Sequence, residues 1–178
     1  MGVRKVKAAV ADAGPLIHLT EIDCFWLLNI FKALHIPDAV WSETVGQNRV
    51  PQAKVLELNN VHRHSLPQAE VTRFIQENGL EDLQIGECEC LYLCQQTGVP
   101  VLLTDDLAVR KAAKRLKFTP VGSLGVVVKA HQLGRISLAD AKHYITALYD
   151  VSSLFVARAI VELAIEQLYT RSEESQRI

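Results

Sequence analysis

The sequence contains no long run of lysine or arginine. Its 19 basic and 20 acidic residues leave a formal net charge of −1, so bulk charge offers no broad grip on a polyanion, and any nucleic-acid contact has to be local. It also has no apolar stretch long enough to span a bilayer. The segment "VKAAVADAGPLIHL" near the start is short and interrupted by Asp12, which fits neither a membrane helix nor a signal peptide and leads us to expect a cytoplasmic protein. Cysteine is sparse: Cys24 stands alone, and Cys88, Cys90 and Cys94 share one helical segment. With no second cluster to complete a thiolate zinc site, and no disulfide pattern, they read as small buried residues of a reducing compartment. Aromatic residues make up 6% of the chain and form no stripe of the kind that stacks RNA bases on a sheet.

What the chain has is apolar residue, 49% of 178, enough for one compact domain or a core with a small helical appendage. "VKAAVADAG" reads as a strand ending at Asp12, and Gly14-Pro15 turns the chain into a helix. "CFWLLNIFKAL" reads as a further helical stretch, "HIPDAV" as a second strand, "WSETVGQN" and "AKVLELNN" as helical pieces, and "VHRHSL" as a modest strand. "QAEVTRFIQENG" has the spacing of an amphipathic helix capped by Gly79, and the next helix runs from near Gly86 to Gly98. "VPVLLTDD" is a buried strand, followed by a basic helix "LAVRKAAKRLK" with Leu107, Ala112 and Leu116 expected inward. "FTPVGS" is a last short strand before "LGVVVKAHQLG" and two more helices, the second over residues 154–169. Strands alternating with helices predict an α/β fold around a mostly parallel sheet, with functional groups at the C-terminal strand ends.

Two acidic positions are such strand ends: Asp12, and the adjacent pair Asp105 and Asp106. Two more lie on helices, Glu43 after the second strand and Glu87 in the first turn before Cys88. Each has an ordinary alternative. Asp12 and Asp106 would serve as helix N-caps, Asp105 as a turn residue, Glu87 as a first-turn acid on the helix dipole, and Glu43 as a solvated residue. Glu89, facing away from Glu87, reads as a surface residue, and His18 as a packed or partly exposed helix residue rather than a general base. Together, four carboxylates in one crevice would make a hard-oxygen site suited to Mg²⁺ or Mn²⁺. A receiver-type acidic pair is not supported, since no phosphoacceptor aspartate follows a third strand.

The segments "VADAGPLIHL", "IPDAVWSETV" and "GECECLYLCQQTGVPVLLTDDLAVRKAAKRLKFTPVGSLGVVVKAHQLGRIS", in that order, resemble the PIN-domain family, most closely its VapC-like branch. The resemblance covers residues 9–136 and implies a PIN-like three-layer α/β/α sandwich with a mostly parallel central sheet of four to five strands and extra C-terminal helices. It divides the chain into a catalytic domain at residues 1–136, a helical extension at 137–170 packed on it, and a polar tail at 171–178. The implied activity is a Mg²⁺- or Mn²⁺-dependent endoribonuclease. Asp12, Glu43, Glu87 and Asp106 would be its acidic quartet, Asp105 a fifth acid reaching the metal directly or through water, and Thr104 the hydroxyl that orders the site. Asp106 is favoured over Asp105 because the family carries Ser or Thr, any residue, then the ligand Asp. Arg110 and Lys111, in the turn after Asp106, would meet RNA, while Lys114 and Arg115 form a solvated face. The branch further implies a small antitoxin partner and a homodimer, through the terminal helix with Phe155, Ile160, Leu163, Ala164 and Leu168 or through "CFWLLNIF". A PIN-like module without activity, binding RNA or a protein, is the alternative. The chain departs from the family pattern at Gly14, where Ser, Thr or Asn is frequent, at the cysteines of "GECECLYLC", where alanines are common, and at Lys117, where a glycine often ends the helix.

Overall fold

The computed structural model describes residues 7–170, apart from the side chain of Thr170; the basic start before Lys7 and the polar tail at 171–178 lie outside the described residues. Among these, β1 (Ala9–Ala11) is followed by α1 (Ala13–Glu21) and a 3₁₀ turn (Phe25–Ile30), then β2 (Leu34–Pro37), α2 (Asp38–Trp41), a π-turn (Ser42–Gly46), α3 (Gln52–Leu56) and β3 (Val61–His64). The second half runs α4 (Gln68–Asn78), α5 (Ile85–Thr97), β4 (Val101–Leu103), α6 (Leu107–Arg115), β5 (Thr119–Val121), α7 (Ser123–Gln132), α8 (Leu138–Asp150) and α9 (Arg158–Thr170).

The strands form one sheet in the order β3-β2-β1-β4-β5. Every pairing is parallel, with Val10 opposite His35 on one side and Leu102 on the other. Ala9, Val10 and Ala11 are fully buried, as expected of a central strand covered on both faces. Helix α5 lies against β1, β2 and β4 and carries α2 and α4; α7 packs on α1, and α8 and α9 pack on α7 and on each other. Helices thus cover both faces in a three-layer α/β/α sandwich. Chain order reverses between β1 and β4, so a crevice opens where their C-terminal ends diverge. No described helix is long and apolar enough to cross a membrane.

The four cysteines are free and buried. Burial pushes the thiols of Cys24 and Cys94 up to about 12, which leaves them protonated and inert.

Several sequence expectations change. "CFWLLNIFKAL" yields only the short 3₁₀ turn, and the second strand ends at Pro37, with Asp38 already in the first turn of α2. Leu107 is 72% exposed. It sits about 200° around the helix from Val109, and the buried stripe of α6 is Val109, Ala112 and Ala113. The terminal helix starts at Arg158, so Phe155 precedes it. Lys117 adopts φ +65°, the left-handed conformation that explains why a glycine would suit the position.

Glu89 is the largest correction, for it is buried, with 3% of its surface exposed. Its carboxylate accepts from the Ala39 backbone N–H at 3.1 Å and from Gln68 Nε2 at 2.9 Å. A buried carboxylate survives when hydrogen bonds replace its water, and here it ties α5 to the start of α2, which leads into the π-turn that carries Glu43. Glu89→Ala is expected to lower stability by about 2–3 kcal/mol, because it strands two donors that served a charged acceptor; denaturant unfolding measures it, and a change under ~0.5 kcal/mol would contradict this role.

Candidate active site

The crevice beyond β1 and β4 is a cavity of about 280 Å³, and Asp12, Glu43, Glu87, Asp105 and Asp106 all line it. Short strands and their caps bring them there. Asp12 directly follows β1, and its backbone N–H bonds to the carbonyl of Leu103 on β4 at 2.9 Å. Its Oδ1 accepts from the Ala13 N–H at 2.8 Å, and its Oδ2 from the hydroxyl of Thr104 at 2.9 Å. Thr104 is fully buried, and its oxygen also accepts from the Asp106 N–H at 3.3 Å. One hydroxyl therefore links the two strand-end aspartates.

Asp106 is exposed and caps α6, with Oδ1 accepting from the N–H groups of Ala108 and Val109 at 2.7 and 2.9 Å. Glu87 is half-buried and closes the capping box of α5 by accepting from the Gln84 N–H at 2.8 Å. Glu43 comes from the π-turn, a distortion that recurs at functional sites. Thr44 turns its hydroxyl back onto the Val40 carbonyl at 2.7 Å, and Arg49 pairs with Glu43 at 3.6 Å.

Asp105 faces a different set of partners. Its Oδ1 accepts from the Ser123 N–H at 2.8 Å; its Oδ2 accepts from the Ser123 hydroxyl at 2.6 Å and lies 2.8 Å from His18 Nδ1. It thereby caps α7, whose own cap residue, Gly122, has no side chain. A Cβ on Gly122 would stand 2.7 Å from Asp105 Oδ1, so the carboxylate occupies the space a side chain would need. At Gly14 a Cβ would fit, in ordinary contact with Asp105 and His18, 3.6 Å from each. His18 lines the cavity, and neither it nor Ser123 is a residue the sequence assigns to the site. Their link spans distant parts of the chain, and nothing in the local pattern announces it. Of the two basic residues expected to meet RNA, Arg110 donates to the Thr104 carbonyl at 3.1 Å and Lys111 is exposed on α6.

The charges strain against one another. Burial, with Glu43 and Asp105 nearby, raises Asp12 to about 6. Burial also raises Glu87, and the carboxylates of Asp12, Asp106 and Glu43 add to the effect.

The family model described as DUF3368: PIN domain matches residues 8–170. The chain belongs to the PIN-domain family. The match runs through α8 and α9, beyond the motifs that carry the resemblance in the sequence. No curated protein and no solved structure matches. The PIN domain is a metal-dependent nuclease fold, and its nucleases generally use divalent ions. As they stand, no three His, Cys, Asp or Glu side chains among the described residues are placed to hold an ion together. The donor set nevertheless fits a hard divalent cation in kind: carboxylate oxygens around one cavity, two of them raised in pKa by burial and mutual repulsion that a positive charge would relieve.

Two outcomes follow for the metal-free protein. Because Asp12 binds its proton more tightly folded, at about 6, than at its ordinary 3.8, the native state holds more protons between those values. Stability therefore falls as pH rises through this window and stays reduced above it. Asp12→Asn is expected to remove this penalty of up to ~3 kcal/mol at pH 7, seen as a higher melting temperature at pH 7 than wild type and a smaller difference near pH 4. Gly122→Ala is expected to displace Asp105, destabilising the protein by about 1–3 kcal/mol; an unchanged melting temperature would show that the Asp105–Ser123 clamp tolerates the methyl.

Proposed function

We propose that this PIN-domain protein is an endoribonuclease that hydrolyses RNA phosphodiesters with Mg²⁺ or Mn²⁺. The observation that carries the reading is the buried Asp12 carboxylate, joined through the Thr104 hydroxyl to Asp106 and sharing one cavity with Glu43, Glu87 and Asp105. Asp12, Glu87 and Asp106 would hold the ion, with Asp105, its oxygens already engaged, contributing through water. When bound, the ion supplies the charge that binds the scissile phosphate and makes water nucleophilic near neutral pH. The chain's own part is positioning: Thr104 fixes the orientation of Asp12, the caps of α5 and α6 fix Glu87 and Asp106, and Glu43, on the cavity wall, orients the attacking water.

A second reading rests on a specific observation. Asp12, Asp106 and Glu87 all serve as helix caps, so the cluster has a structural use without catalysis, as in an inactive PIN-like module that binds RNA or a protein. Mn²⁺ titration followed by thermal shift, with cleavage of mixed RNA and DNA oligonucleotides, separates the two. Wild type is expected to be stabilised and to cut RNA. The Asp12→Asn, Asp106→Asn double variant is expected to lose at least ~100-fold in rate. Stabilisation without cleavage would select the inactive module.

The reading extends to a VapC-like toxin in the cytoplasm, with a small antitoxin protein covering the acidic cavity and a homodimer built through the outward Ile160 and Leu163 of α9 or through Trp26. A neighbouring gene for a small protein with a DNA-binding N-terminus would support the toxin role, and sedimentation tests the dimer.

A further inference from the structure

The segment between α8 and α9 forms one wall of the acidic cavity through Ser153, Leu154 and Phe155. It is held in place from several sides. Glu21, the last residue of α1, accepts from the Ser153 backbone N–H at 2.7 Å and from its hydroxyl at 2.8 Å. Leu154 and Val156, on either side of Phe155, pack against the core. Phe155 itself is 100% exposed. A segment that tucks in both neighbours and turns a whole phenyl ring to solvent at the rim of a cavity gains nothing in folding from that ring.

The charge of the cavity says what the ring is for. Five carboxylates line it, and a phosphodiester approaching them is repelled until a cation is bound. The nearby guanidinium groups are already engaged, Arg49 with Glu43 and Arg110 with the Thr104 carbonyl. Besides the exposed Lys111 of α6, holding a nucleic-acid strand there calls for contacts that do not depend on charge. An exposed aromatic ring supplies one, because every nucleobase has a face that stacks on it.

The geometry points to Phe155 as a stacking platform for one nucleobase of a single-stranded RNA next to the scissile phosphate. This inference rests on the ribonuclease reading. It makes Phe155 a substrate-binding residue at the rim, on a loop and not on the sheet.

The test measures binding of a short fluorescein-labelled single-stranded RNA by anisotropy with Ca²⁺ in place of Mn²⁺, every acid of the site intact and the RNA checked as uncut after each measurement, alongside cleavage with Mn²⁺. Phe155→Ala is expected to weaken binding about 5- to 100-fold, and Phe155→Trp to keep it within about threefold. An abasic site at the stacked position is expected to weaken binding to the protein that retains Phe155 and to cost nothing further in the Phe155→Ala variant. If Phe155→Ala leaves affinity unchanged while the active protein still cleaves RNA, the inference is overturned and the ribonuclease reading stands. A shift from dimer to monomer on Phe155→Ala with affinity unchanged also overturns it and gives the ring to a second copy of the chain. If the active protein neither binds nor cuts any RNA, the ribonuclease reading fails and the stacking role fails with it.

Discussion

The hydroxyl of Thr104 is the point on which the site turns. It donates to the buried carboxylate of Asp12 and accepts from the backbone of Asp106, so the adjacent ends of β1 and β4 cannot separate without leaving a buried acid unsatisfied. Two short parallel strands could drift relative to one another; this bridge fixes them where the chain order across the sheet reverses. Of the other acids, Glu87 arrives in the first turn of α5 and closes its capping box, Asp105 caps α7 from the loop after β4, and Glu43 comes on the π-turn. The same hydrogen bonds that end strands and begin helices therefore set the spacing of the charged groups, and the folding of the sheet edge and the building of the site are one event.

Much of this is legible in the sequence. Asp12 and the Asp105–Asp106 pair declare themselves because each closes an apolar run and opens a helix, a local pattern that needs no knowledge of the rest. Gly79 and Gly98 mark helix ends for the same reason, and both adopt left-handed φ values. Glu89 is not legible in this way. Its neighbours in sequence place it on α5, but its partners, Ala39 and Gln68, come from two other helices, and a carboxylate buried by distant backbone looks locally like any surface acid. His18 reads as an ordinary helix residue and Ser123 escapes notice for the same reason, since what makes them part of the site is Asp105, far away in the chain. Leu107 misleads for a simpler cause: an apolar residue in the first turn satisfies the composition of an inward face but not its phase.

The departures from the family pattern acquire physical meaning. Gly14, where a hydroxyl or amide is frequent, lies beside the His18–Asp105 pair, so the polar contact is made from the next turn of α1. Lys117 keeps the backbone conformation of the missing glycine. The cysteines of α5 are buried and protonated, with Cys90 directing its thiol to the Ala11 carbonyl at 3.6 Å; they fill the space of small apolar residues and take no part in the chemistry of the acids above them.

The contact between Glu21 and Ser153 joins residues 132 positions apart. A nascent chain that has emerged only as far as β5 already owns every acid of the cluster, yet it lacks the wall that Ser153 to Phe155 provide. On the ribonuclease reading proposed above, the ribosome's own RNA surrounds the growing chain, and a site whose last wall arrives with the segment after α8 is completed only after those residues have left the tunnel.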